Sequence, residues 1–186
     1  MPPALFCLEF SSIAAGILAG DALVKRAPVT MLDARHLSPG KYMLLATGEV
    51  AALEESYAAA LEAGAGALLD ETFLPFAHED LYPLLRGERL SAPGEALGVI
   101  ETSTVAACVR AADGAAKETA ARLIEMHLAN QLGGKAYVLL RGRVADVEAA
   151  VERGAALAAA ALVRQVVIPL LHTEMGVWVG VSGNEA

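Results

Sequence analysis

The apolar positions of the chain fall into two kinds of segment that alternate along its length. One kind is a short apolar or alternating run, which is typical of a β-strand. These runs predict strands at 4–10, 29–37, 42–47 and 68–74, and again at 96–102, 123–130, 136–141 and 163–168. The other kind repeats apolar residues every three or four positions, and it predicts helices at 12–26, 50–63, 104–119 and 144–160.

The second half of the chain repeats the first. Glu9 recurs as Glu101 and Lys25 recurs as Lys117, each 92 residues later. At a spacing of 94, Gly40 recurs as Gly134 and His78 recurs as His172. The spacing changes between Lys25 and Gly40, where a loop can absorb two extra residues. Such self-similarity indicates two copies of one structural unit.

Each copy has the predicted order strand, helix, strand, strand, helix, strand. This order predicts an α+β fold of two tandem βαββαβ domains, each with an antiparallel sheet and two helices packed on one face. The polar, Arg- and Pro-containing stretch at 86–95 is the best candidate for a linker. We therefore expect a first domain at 1–85 and a second domain at 96–186.

Composition excludes several classes of partner. The chain has 186 residues, a net charge of −8 and a pI near 5.0, so it lacks the basic surface that binds nucleic acid. The Ala-rich run at 155–163 is far shorter than the roughly 20 residues of a spanning helix, and the N-terminus lacks the pattern of a signal peptide. These features predict a cytoplasmic protein with no membrane partner.

The candidate reactive residues do not form a recognisable catalytic or metal-binding pattern. Cys7 and Cys108 stand alone within apolar segments, which favours buried thiols over a metal site or a disulfide. His78 and His172 recur just after a strand, but no nucleophile or acid lies at a telling spacing from either. The Gly-Lys turns are followed by strands, so they do not match a P-loop. We expect neither catalytic nor metal-ligating residues, and therefore no enzyme.

Four long segments resemble the shell domains of bacterial microcompartments. Segments 5–25 and 98–117 are similar to the opening strand and first helix of such domains, and segments 39–56 and 133–151 are similar to their central turn, third strand and second helix. The resemblance covers nearly all of both copies in the unpermuted strand order. It is strongest to the tandem-domain, trimer-forming type found in propanediol-utilisation compartments.

The resemblance implies a function and a set of site residues. Tandem-domain shell proteins form homotrimers whose six domains make a tile, and the tiles join other shell proteins to enclose enzymes. One turn per domain converges on the axis, where small metabolites cross the shell. The matching pore-lining residues are Ser38, Pro39, Gly40, Leu132, Gly133 and Gly134. The lysines that match the tile-edge lysine of the family are Lys25 and Lys117.

Two departures from the family pattern carry expectations of their own. A relative that binds an iron–sulfur cluster has cysteine where this chain has Ser38, and a serine hydroxyl is a poor substitute for a thiolate ligand. We therefore expect an open pore with no cofactor. The family's closing strand continues with Pro-Arg-Pro-His, but Phe76 and Leu170 replace the arginine here, so the edge contacts of that arginine are absent.

Two other functions stay open on sequence alone. Trimeric ferredoxin-like βαββαβ proteins also bind small molecules between subunits as regulators, and fold analogy does not exclude this. An enzyme that uses His78 or His172 between subunits is the second alternative. A shell tile extends into sheets, whereas a regulator stops at a discrete oligomer and gains stability from its ligand.

Overall fold

The computed structural model describes residues 3–129 and 131–180. In the first half of the chain the elements are β1 (Ala4–Phe10), α1 (Ile13–Arg26), β2 (Thr30–Leu37), β3 (Lys41–Gly48), α2 (Val50–Ala63), β4 (Leu68–Leu74) and a short helix α3 (Leu81–Leu85). The βαββαβ order predicted for the first copy is therefore confirmed. Helix α3 was not predicted.

The second half follows the same order. Its elements are β5 (Ala96–Thr102), α4 (Val105–Glu118), β6 (Arg122–Leu128), β7 (Ala136–Gly142), α5 (Val144–Ala158), β8 (Leu162–Ile168) and a short helix α6 (Thr173–Trp178), which is the counterpart of α3. The strand predicted at 123–130 ends at Leu128, and Asn130 lies outside the described residues. The outermost positions of the predicted domains, 1–2 and 181–186, also lie outside them.

The two sheets have the same topology. Their strand orders are β2-β3-β1-β4 and β6-β7-β5-β8, and all neighbouring strands are antiparallel. Even the bulges recur, since the pairing with the closing strand shifts after Glu9 in one sheet and after Glu101 in the other. The α+β class and the unpermuted order are confirmed.

The first helix of each domain begins at a capped position. The hydroxyl of Ser12 accepts from the backbone N–H of Ala15, and the hydroxyl of Thr104 accepts from that of Ala107, each at 3.3 Å. These bonds satisfy backbone donors that have no partner within the helix. The same local rule therefore starts α1 and α4, although their surroundings differ.

Each sheet carries two helices of its own domain on one face. In the first domain, Phe6, Phe10 and Leu44 of the sheet pack with Leu23 of α1 and Leu53 of α2 in one buried cluster. The other face of that sheet is covered by α4 of the second domain. A larger buried cluster runs through both domains, and its members from the first sheet are Leu5, Cys7, Leu37, Met43 and Leu45.

The segment after β4 ties the two domains together. Leu81, Leu84 and Leu85 of α3 join the shared cluster, and Asp80 accepts two hydrogen bonds from the Arg122 guanidinium at 2.6 and 2.8 Å. Residues 86–95 contain no helix or strand, but the backbone N–H of Leu90 donates to the carbonyl of Ile124 at 2.9 Å. The predicted linker is thus packed on the second domain.

Among the described residues, no helix has the length and hydrophobicity needed to cross a lipid bilayer.

Candidate functional site

The two predicted pore turns lie side by side. Residues 38–40 join β2 to β3, and residues 132–134 lie between β6 and β7. A side-chain carbon added to Gly134 would come within 2.8 Å of the Ser38 carbonyl oxygen and 3.3 Å of Lys41 Nζ. Gly134 also has a φ of 87°, which disfavours other residues. The chain therefore brings both turns to one point, where only glycine fits.

A buried carboxylate joins the domains beside these turns. The Glu9 side chain is 0% exposed, and its Oε1 accepts from Lys41 Nζ at 2.7 Å. Its Oε2 accepts from the backbone N–H of Val105 at 2.7 Å, at the first turn of α4. A carboxylate at a helix N-terminus is favourable because the helix presents unpaired N–H groups and a partial positive charge there.

The second domain repeats half of this arrangement. Lys135 Nζ donates to Glu101 Oε1 at 2.9 Å, as Lys41 does to Glu9. The Glu101 side chain, however, is 33% exposed. Among the described residues, Glu9 but not Glu101 accepts a hydrogen bond from the first turn of a helix in the other domain. Glu101 thus keeps the lysine contact of Glu9 and, within the part of the chain that the structure describes, lacks its contact with a helix N-terminus.

The predicted tile-edge lysines have different surroundings. Lys117 Nζ lies 2.6 Å from Asp113 Oδ2 and also donates to the carbonyl of Phe76 in the first domain. Asp113 in turn accepts from the backbone N–H of His78 at 2.8 Å. Lys25 pairs with Asp21 at 2.6 Å on an exposed surface. Lys117 thus makes a contact between domains, which the sequence did not predict.

The position of these lysines relative to the pore turns follows from the strand register. Phe10 pairs with Tyr42 of β3 beside the first turn, whereas Leu5 at the other end of β1 pairs with Leu74. Phe76 and Lys117 therefore lie at the end of the sheet away from the turns. The separation is one strand length, about 20 Å.

A polar network at the centre of the domain interface involves Arg110 of α4. Its Nη1 donates to the carbonyl of Glu71 at 2.8 Å and to Thr72 Oγ1 at 2.7 Å, and it lies 3.5 Å from Asp70 Oδ1. Thr104, the N-cap of α4, donates its hydroxyl to the same aspartate. The sequence offered no sign of this network, because its members have different residue types in the other copy.

The second sheet has an apolar face on which, among the described residues, no helix of the other domain lies. Leu97 and Leu139 of this face are buried and Val99 is half-buried, and the face corresponds to the α4-covered face of the first sheet. A cavity of about 370 Å³ opens there, bordered by Met175 and Trp178 of α6. Trp178 is 83% exposed, whereas its counterpart Leu84 is buried.

Helix α1 has an exposed apolar face. Ile17 and Leu18 are 55% and 56% exposed, although α1 is the counterpart of the fully packed helix α4. The exposed positions of α1 are Ile13, Ala14, Ile17, Leu18, Asp21, Val24, Lys25 and Arg26. Their counterparts in α4, which lie 92 residues later, include those that contact the first domain: Val105, Ala106, Arg110, Asp113 and Lys117.

The recurring histidines accept backbone hydrogen bonds next to the two short helices, and His172 is the N-cap of α6. His78 Nδ1 accepts from the backbone N–H of Asp80 at 3.2 Å, and His172 Nδ1 accepts from that of Glu174 at 3.3 Å, at the start of α6. A ring nitrogen that accepts a backbone hydrogen bond has a structural role. Of the other two histidines, His127 stacks on Tyr137 with ring centroids 5.5 Å apart.

Both cysteines are buried. Burial raises the pKa of the Cys7 thiol well above its usual value, with the negative charge of Glu9 adding to the effect. Burial also raises the pKa of Cys108 to about 12, against a smaller opposite effect of a hydrogen bond with Thr102. Both thiols are therefore protonated at neutral pH, the form that is neither nucleophilic nor metal-binding. Within the described residues, no three His, Cys, Asp or Glu side chains cluster as metal ligands would.

Comparison with known proteins identifies the family. The family model described as BMC domain matches twice, at residues 4–77 and 96–171. The bacterial microcompartment shell protein PduT of Citrobacter freundii is 37% identical over 177 residues, which are 94% of this chain and 96% of that protein.

Solved structures agree with this result. The crystal structure of a microcompartment protein from Desulfitobacterium hafniense has 38% sequence identity and a TM-score of 0.83, over 94% of this chain and 98% of that one. A fused permuted hexameric shell protein from the RMM microcompartment, at 20% identity and a TM-score of 0.63 over 84% of this chain and 81% of its own, supports the fold alone. The chain belongs to the BMC-domain family and is a tandem-domain shell protein of a bacterial microcompartment.

Proposed function

We propose that three copies of the chain close into a ring of six domains and form a shell tile with a pore at its centre. One observation carries this proposal: the surface of α1 that corresponds to the domain-binding surface of α4 is exposed and apolar. Its natural occupant is the apolar face of the second sheet in another copy, which borders a cavity and the exposed Trp178. A head-to-tail contact of this kind generates a closed ring when its rotation closes.

The polar ends of the interface support the same pairing. Glu101 corresponds to Glu9, so it is positioned to accept from the backbone N–H of Ile13 in the next copy, as Glu9 accepts from Val105. At the outer end, Asp21 and Lys25 retain the residue types of Asp113 and Lys117. Their partners in the next copy are the backbone N–H of His172 and the carbonyl of Leu170.

If each contact between chains has the geometry of the contact between domains, the pore turns of all domains lie around the axis of the ring. Residues 38–40 and 132–134 already meet within one chain, so three chains bring six turns together in alternation. Ser38 and Leu132 then give one opening two kinds of lining, a hydroxyl and an apolar side chain. A homohexamer of single domains cannot do this. Small metabolites of the enclosed enzymes are the expected solutes.

The predicted domain division and edge residues belong to the same proposal. Domains at 1–85 and 96–186 with a segment at 86–95 agree with the two family matches, which leave residues 78–95 between them. Lys25 and Lys117 lie at the end of each domain away from the pore turns, which is the rim of the proposed tile. Contact with neighbouring shell proteins takes place there.

Cryo-electron microscopy of the purified full-length protein tests this function. The expected result is a particle of three chains, with residues 38–40 and 132–134 around a threefold axis and with lateral association into sheets. A monomer, or a discrete oligomer in which these turns face away from the axis, would contradict the proposal. A discrete oligomer stabilised by a small molecule would support the regulatory alternative instead.

A further inference from the structure

The interface within the chain and its proposed counterpart between chains differ at their centres. Within the chain the centre is polar, because Arg110 of α4 binds Asp70 and Thr72 of β4. The corresponding residue of α1 is Leu18, and the residue that corresponds to Thr72 is Val166 of β8. The between-chain centre therefore has an apolar contact where the within-chain centre has hydrogen bonds.

The charge of the sheet residue is reversed as well. In the strand register, Asp70 lies opposite Glu9 in the first sheet and Arg164 lies opposite Glu101 in the second. Arg164 is therefore the counterpart of Asp70. Arg164 is exposed in the chain, and it faces the side of the sheet on which a helix of the next copy is expected. The residue that faces the helix is thus an anion in the first sheet and a cation in the second.

We infer that these substitutions assign each helix to one sheet: the first sheet selects α4, and the second sheet selects α1 of another copy. Placing α4 on the second sheet would bring Arg110 against Arg164 and remove the hydroxyl acceptor of Thr72. Placing α1 on the first sheet would leave Asp70, whose side chain is only 19% exposed, without its arginine. Both mispairings are costly, because like charges repel and a partly buried carboxylate loses its cationic partner.

This selectivity rests on the proposed ring and explains how the ring avoids swapped assemblies. During assembly, α4 of one copy competes with α4 of another for the same sheet, and exchange of identical elements is an easy route to open oligomers. If the second sheet rejects Arg110, only α1 binds there. First and second domains then alternate, and the ring closes.

The test is a charge reversal followed by its rescue in the full-length protein. Leu18→Arg places an arginine opposite Arg164 and is expected to raise the dissociation constant of the trimer about tenfold or more. Adding Arg164→Asp recreates the Arg110–Asp70 pair between chains and is expected to restore the constant to within about twofold of the parent. Sedimentation velocity over a dilution series measures both effects.

A matched control introduces the same side chain elsewhere. Ala58→Arg changes an exposed position of α2. The counterpart of Ala58 in the second domain, Glu152, is exposed although that domain packs against the first, so this position lies outside the contact between domains. This variant is expected to dissociate like the parent. Circular dichroism verifies that Leu18→Arg, at a surface position, retains the fold.

The outcomes separate this inference from the proposed function. If the parent forms trimers but Leu18→Arg dissociates no more readily, or if Arg164→Asp does not rescue it, the selectivity inference is wrong and the trimer stands. If the parent is monomeric at all concentrations, the proposed function itself fails. Loss of trimer in Leu18→Arg with recovery in the double variant supports both.

Discussion

Helices α1 and α4 have the same place in their domains and opposite exposure. Nearly every residue of α4 is buried, since it lies between its own sheet and the sheet of the first domain. In α1 only Gly16, Ala19 and Leu23 are buried, and these face its own domain. The same helix face is therefore exposed in α1 and occupied within the chain in α4, and in the proposed ring the face of α1 binds the second sheet of another copy.

The largest expected difference comes from placing a charge on the two equivalent faces. Val109→Asp puts an unpaired carboxylate into the shared core, which costs several kcal/mol and should prevent folding. Ile17→Asp alters the equivalent residue of α1, which is solvent-exposed in one chain, and should leave a folded monomer. Circular dichroism and sedimentation velocity check the two results. Unfolding of both variants, or a stable trimer of Ile17→Asp, would break the comparison.

A second difference is expected at the two equivalent carboxylates. Glu9→Ala leaves Lys41 and the start of α4 without a buried partner and should lower the free energy of unfolding by about 3–5 kcal/mol. Glu101→Ala removes a side chain that is one-third exposed and should act mainly on trimer dissociation. Urea unfolding monitored by circular dichroism, with parallel sedimentation, separates the effects. Equal loss of subunit stability in both variants would show that the two carboxylates have the same role.

The smallest effect is expected at the recurring histidines. His78→Ala removes the acceptor of the Asp80 backbone N–H in the segment packed between domains and should cost about 1 kcal/mol of subunit stability. His172→Ala removes the N-cap of α6, which borders the apolar face of the second sheet, and should weaken the trimer by a similar amount instead. Thermal unfolding and dilution series measure the two effects. If the protein turned over a substrate and lost this activity when both His78 and His172 were replaced by alanine, the enzymatic alternative would be supported.

Sequence patterns predicted most of the fold because they reflect local physics. The periods of the apolar positions and the N-caps Ser12 and Thr104 set the order and limits of the main elements. The repeat then located the two glycine turns that the structure brings together. The periodicity and the caps are read within one copy of the unit, and the repeat is read by comparing the two copies.

The features that the sequence did not predict depend on contacts between domains. Helix α3 has five residues, includes Pro83 and is stabilised by docking on the second domain, so its local signal is weak. The contacts of Arg110 with Asp70 and Thr72 join residues about forty positions apart, and Leu18 in the other copy gave no hint of them. Tertiary partners of this kind leave no periodic trace.

The most direct test of the account is a chemical cross-link between two chains. Thr72 Oγ1 donates to the Ala106 carbonyl at 2.7 Å within the chain, and the corresponding residues of the proposed contact between chains are Val166 and Ala14. Cysteines introduced at Ala14 and Val166 should therefore react with a short bis-maleimide, while the native thiols are buried. Each single variant is the control.

The doubly substituted protein should give covalent species of two and three chains and none larger, as a closed ring of three requires. The single variants should remain uncross-linked on a denaturing gel. A product that stays at one chain, or a ladder that continues beyond three chains, would contradict the claim that α1 of one copy binds the second sheet of the next in a closed trimer.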